Sequence, residues 1–134
     1  MRRFRRFPIS RNLELLKLYH AFMPANPSVT KSSRTERIRH PEVGSLDLAT
    51  IMRALGDPLR IEIVRQVDQE GEILCTELYE QLGLPNSTGS YHLRQLREAG
   101  VTRAKANGAK RMISLRREDL ESRFPGLLDL VLSS

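Results

Sequence analysis

The feature that most constrains this chain is a short helical stretch, broken by one glycine and followed at once by a longer one. Thr76–Leu82 carries Leu78 and Leu82 inward, Gly83 permits a sharp turn, and Leu84 can plug the angle between two helices. Pro85 or Asn86 then opens a second helix that runs to about Ala99 and ends at Gly100. This is a helix, a tight turn and a helix, and such a pair needs neighbours to cover its apolar sides. A hairpin follows over Val101–Leu115. Its Asn107-Gly108 pair can take positive φ at both central positions, which predicts a two-residue type I′ turn. Arg103, Lys105, Lys110 and Arg111 alternate there with Ala104, Ala106 and Met112 or Ile113.

Neighbours for the pair lie on both sides in sequence. Ser45 is an N-cap candidate for a helix over Leu46–Leu55, with Leu48, Ile51, Met52 and Leu55 on one stripe. Gly56 stops it at C′. Asp57 caps the next helix with Pro58 at N1, and Leu59, Ile63, Val64 and Val67 form its buried face up to Gly71. Glu72-Ile73-Leu74 can pair as an edge strand. After the hairpin, helical signal returns at Arg117–Ser122. Pro125 then starts a closing segment, Gly126–Leu132, with five apolar residues in seven. The expected fold is mainly α with a small β-hairpin, in one ordered domain over residues 45–134.

Residues 1–44 read differently. Leu15, Leu18, Tyr19 and Phe22 fall at helical spacing, so a short helix near 12–22 is expected, and Pro24–Gly44 has the composition of a linker or a disordered segment. The first 40 residues hold ten Lys/Arg against two acids, a net of +8, whereas residues 41–134 hold twelve against fourteen. Such an arm can hold phosphates without reading sequence. An extension without a role, produced by a start assigned too early at Met1, accounts for it equally well.

The near-neutral sum over 41–134 hides a division. Residues 41–84 carry three Lys/Arg and nine acids, residues 85–117 eight Lys/Arg and one acid, and residues 118–134 one and four. Positive charge is thus concentrated on the second helix of the pair and on the hairpin, a patch able to neutralise several phosphates. On that helix Asn86, Ser87, Thr88, Ser90, Tyr91 and Arg94 lie toward the N-terminal half, opposite Leu93 and Leu96. Small hydroxyl side chains permit close approach to a groove, Arg94 can reach guanine or a phosphate, and free first-turn N–H groups can hold a phosphate. The expected duplex-DNA contacts are these six residues, with Arg103, Lys105, Asn107, Lys110 and Arg111 on the hairpin. Gly89 is unexplained by this beyond close packing.

The runs ALGDPLRIEIVRQV and ELYEQLGLPNSTGSYHLRQLREAGV, followed by the hairpin, resemble the ArsR family of winged helix-turn-helix regulators over about Leu46–Leu132. The specific matches are Ser87, Thr88, Ser90, His92, Leu93, Leu96, Ala99 and Gly100. The resemblance implies a homodimer built on the first and last helices. It also implies operator binding by the second helix of the motif, a wing along the DNA backbone or minor groove, and repression relieved by an unidentified small-molecule or other inducer. The apolar closing segment agrees with dimerisation, with Leu127, Leu128 and Val131 covered by the partner's Leu48 and Ile51 face. Packing within one chain is the competing expectation.

Members that sense metals use a Cys-x-Cys pair, and the aligned positions here are Leu74 and Thr76, with Cys75 between them. No His follows His92, so no metal and no cofactor are expected. Cys75 is expected to be buried, with a redox role as the alternative. His92 is expected to pack behind the reading helix or to touch a phosphate. Neither GxGxxG nor GxxxxGK occurs and no nucleophile–base set is visible, which argues against an enzyme. The longest apolar runs are only a few residues, too short to span a membrane. With one cysteine and no secretory signal, the chain is expected in the bacterial cytoplasm, at the nucleoid. The functional alternative is a winged-helix module for protein interaction or RNA.

Overall fold

The computed structural model describes residues 38–134. The helix expected near 12–22 lies outside the described residues. Six helices and three strands follow in chain order: α1 Leu48–Leu55, α2 Pro58–Glu70, β1 Glu72–Leu74, α3 Cys75–Leu82, α4 Asn86–Ala99, β2 Thr102–Asn107, β3 Lys110–Leu115, α5 Arg117–Arg123 and α6 Leu127–Ser133.

Helix starts and stops follow local chemistry. Asp47, not Ser45, caps α1: its carboxylate accepts from Thr50 N at 2.9 Å and from Thr50 Oγ1 at 2.8 Å. Ser45 belongs instead to a 3₁₀ turn over Val43–Ser45 and donates its hydroxyl to Glu42 O at 2.8 Å. A carboxylate both satisfies the free N–H groups and complements the positive end of the helix, so it outcompetes a hydroxyl two residues earlier. Asp57 caps α2 by accepting from Leu59 N, with Pro58 in the first turn. Gly83 (φ 64) and Gly100 (φ 91) close α3 and α4 in left-handed geometry, where a side chain would be strained.

The sheet order is β1-β3-β2, all antiparallel, so the edge strand expected at Glu72–Leu74 pairs with β3. The hairpin register departs from expectation by one residue. Asn107 pairs with Lys110, leaving Gly108 and Ala109 as the central pair, and only Gly108 has positive φ (62). This is the sign pattern of a type II′ turn, which needs glycine only at the first central position. Register also fixes the faces, because directly paired residues share one. Arg103, Lys105 and Lys110 lie on one face, while Arg111 shares the other with Ala106, Ala104 and Ile113.

The core sits where α1, α2, α3 and α4 meet the base of the sheet. Ile51, Ile63, Val64, Val67, Leu78 and Leu96 are wholly enclosed, and Leu84 plugs the α3–α4 corner. Residues 38–44, assigned to the arm by composition, pack with this unit instead: His40 accepts a hydrogen bond from Ala104 N, and Pro41 O accepts one from Arg116.

Candidate nucleic-acid interface

Helix α4 presents one side to solvent. Asn86, Ser87, Ser90 and Arg94 are exposed along it, and Tyr91 is half-buried with its ring edge-on to His92, the centroids 5.3 Å apart. Thr88 is a correction. It is only 4% exposed, so its side chain is not available to a base edge. The spacing explains this: Thr88, His92, Leu96 and Ala99 form a single inward stripe at i, i+4, i+8 and i+11, all buried. His92 is fully enclosed and does not face a phosphate. Burial, with Arg60 adding to it and Asp57 opposing, holds its imidazole below the usual histidine range.

The N-cap of α4 is Pro85, and among the described residues no side chain caps the helix. The first-turn N–H groups of Asn86, Ser87 and Thr88 therefore lack a capping side chain and point outward at the positive end of the helix. How α4 comes to lie there depends on α3. Tyr79 is buried, with its ring against Gly89, and burial, with Cys75 beside it, pushes its hydroxyl up to about 12 despite the nearby Arg111. Cys75 is a half-buried free thiol at the first position of α3.

Arg103, Lys105, Asn107, Lys110 and Arg111 are all exposed on the hairpin. They are not equivalent. Arg103 contacts Asp119 at 3.3 Å, and Arg111 stands on the face turned toward Tyr79. Among the described residues Arg94, Lys105, Lys110 and Arg111 make no salt bridge. The basic patch counted from sequence is thinner than its sum. Arg116 is buried, donating from Nε to Asp119 at 2.9 Å and from Nη1 to Pro41 O at 2.7 Å, and Arg117 pairs with Asp68. Sequence reasoning missed Arg116 as a structural residue because nothing in its neighbours distinguishes it from Arg117.

Two of the expected interface residues are also corrected. Ile51 is 0% exposed and Leu128 only 3%, both covered within the chain, where α1 packs on α4 and α6 packs on α2 and α5. What remains uncovered are the outward residues of the same helices: Leu48 at 42%, Met52 at 59% and Leu130 at 67%, with Leu127 and Val131 half-buried. None of the described helices is long and apolar enough to cross a membrane.

Comparison with known proteins agrees with this geometry. Residues 55–103 match the sequence family described as a helix-turn-helix domain. The chain is 35% identical over 82 residues to the HTH-type transcriptional regulator YceK of Bacillus subtilis, covering 60% of this chain and 82% of that protein. It is 32% identical over 75 residues to the arsenical resistance operon repressor of Staphylococcus xylosus, covering 56% and 71%. The homodimeric winged helix-turn-helix DNA-binding domain Mb0332 from Mycobacterium bovis superposes with a TM-score of 0.54 at 25% identity, covering 63% of this chain and 77% of that one. The chain belongs to the ArsR family of winged helix-turn-helix transcriptional regulators.

Proposed function

We propose that the protein is a homodimeric, sequence-specific repressor that reads operator DNA with α4 and holds the DNA backbone with the β2–β3 wing. The observation that carries this is the exposed side of α4, where Asn86, Ser87, Ser90 and Arg94 have no acidic partner among the described residues and stand beside a helix start that no described side chain caps. On the wing, Lys105, Asn107 and Lys110 share a face suited to phosphates. Arg94 reads base edges, and the lysines contribute sequence-independent affinity. Leu48, Met52 and Leu130, with the half-buried Leu127 and Val131, form the dimer contact, which sets half-sites roughly 34–36 Å apart. Repressor function is supported by relatives so named. The release signal acts without a Cys-x-Cys metal pair, since Leu74 and Thr76 occupy those positions, and we assign the protein no catalysis and a cytoplasmic site of action.

The test is selection of duplexes from random DNA with the purified protein, followed by anisotropy titration of variants. Arg94→Ala should cost about 1–3 kcal/mol on the selected site and flatten the preference among sites. Lys105→Ala with Lys110→Ala should weaken all duplexes alike. Failure of any duplex to be enriched, or tighter binding to structured RNA, would overturn the proposal.

A further inference from the structure

β2 is one of the two edge strands of the sheet, and there the backbone N–H of Ala104 donates to Nε2 of His40 at 3.0 Å. Ala104 stands between Arg103 and Lys105, so this bond is made in the middle of the strand that carries wing cations. The next residue is held as well, because the buried Arg116 donates to Pro41 O while it pairs with Asp119. His40 thus braces β2 from outside the sheet while Pro41 is tied to the β3–α5 junction, and the His40 contact is made through a group able to change its charge near neutral pH.

Resting on the DNA-binding reading above, we propose that His40 is a positioning residue that clamps the wing strand for DNA binding in its neutral form and releases it when protonated. An Nε2 that accepts a hydrogen bond carries no proton. The imidazolium has N–H groups at both nitrogens, so it cannot accept and would set one N–H against another. The groups facing the ring are Arg116 from the β3–α5 junction, Arg97 from α4 and Arg103 from β2, with Asp119 on α5 paired to both Arg116 and Arg103. Partial burial first, and then these cations, hold the imidazole below the usual histidine range, so the clamp is closed at neutral pH. Release follows acidification. The sign of the effect separates this role from its rival: a histidine that touched a phosphate would tighten DNA binding on protonation, whereas the clamp loosens it.

The experiment compares full-length wild type, His40→Gln and His40→Ala against one duplex selected by the wild type, from about pH 8 to about pH 5.5. The Gln amide oxygen reaches the place of Nε2 and accepts without titrating. Relative to His40→Gln, the wild type should lose roughly three- to tenfold in affinity on acidification, the loss expected from one hydrogen bond. His40→Ala should be weaker than His40→Gln by a similar factor at every pH. Hydrogen exchange at the Ala104 amide, read by NMR without DNA, should be slow in wild type and His40→Gln and faster in His40→Ala. Identical pH profiles for wild type and His40→Gln, or acid-tightened binding in the wild type alone, would overturn the proposal. Should no duplex bind at any pH, the DNA-binding reading fails, and equal Ala104 exchange in wild type and His40→Ala then sinks the clamp separately. If His40→Ala does not fold, the wild type against His40→Gln comparison still decides.

Discussion

Gly89 on α4 lies flat against the ring of Tyr79 on α3: a Cβ on Gly89 would stand 2.3 Å from both Cδ1 and Cε1 of that ring. Tyr79 and Gly89 are both buried, so neither can swing aside into solvent. This contact explains a glycine in the middle of a helix, where it costs about 1 kcal/mol against alanine. It also sets how closely α3 and α4 approach, and so how α4 presents Ser90 and Arg94. Gly89→Ala should therefore destabilise the protein, because overpacking of about 1–3 kcal/mol exceeds the propensity gain. Urea denaturation should show a lower midpoint and anisotropy weaker operator binding. Adding Tyr79→Leu should recover part of the stability. A raised midpoint for Gly89→Ala would mean the notch is not tight.

Removing charge at two arginines or lysines of the basic segment should have opposite signatures. Arg116→Met breaks the buried contacts to Asp119 and Pro41, and should cost roughly 2–4 kcal/mol of stability, since it strands hydrogen-bonding groups in the interior. Lys110→Ala removes an exposed cation without a salt bridge among the described residues, and should leave stability within about 0.5 kcal/mol. It should instead lower the slope of log affinity against log salt by about 0.9. A stability loss for Lys110→Ala with no change in slope would reverse these roles.

The exposed Met52 and Leu130 should matter for assembly and not for folding. Met52→Glu combined with Leu130→Glu should halve the mass seen by light scattering while leaving the circular dichroism spectrum intact. Leu128→Glu, at a position 3% exposed, should unfold the chain outright. A double variant that keeps the mass of the wild type would place the dimer contact elsewhere.

Acid should destabilise the fold through His92. Its folded-state pKa is lowered, chiefly by burial, from the ordinary 6.5, so below that value the unfolded chain binds a proton that the native state refuses. Stability is therefore complete above about pH 6.5 and is lost as pH falls, by at most about 1.4 kcal/mol per pH unit for this one proton. Thermal denaturation from about pH 8 to about pH 5 should show the decline, and His92→Gln should flatten it at some cost in stability at neutral pH. An unchanged pH profile in His92→Gln would assign the acid sensitivity to other groups.

Much of this protein is legible in its residue order because its signals are local. Glycines at 83 and 100, the Asp57-Pro58 start and the tight turn between α3 and α4 each act within one helical turn, and each appears where the chain alone predicts it. Thr88 was legible too, since it falls on the stripe of His92 and Leu96, but the hydroxyl chemistry of its neighbours obscured the spacing. The hairpin register is different. Asn107-Gly108 and Gly108-Ala109 are both acceptable turn pairs locally, and pairing Ile113 with both Ile73 and Ala104 in the core selects the second.

What the sequence determined by itself is the set of elements and the concentration of positive charge on residues 85–117. Only the tertiary structure decided which of those charges are free. Arg116 and Arg117 are adjacent and chemically identical, yet one is buried as a brace between Pro41 and Asp119 and the other pairs with Asp68 at the surface. The same holds for the closing helix, where Leu128 is covered and Leu130 is bare. Local propensity acts over a few residues, whereas burial depends on segments distant in sequence, and no count along the chain contains that distance.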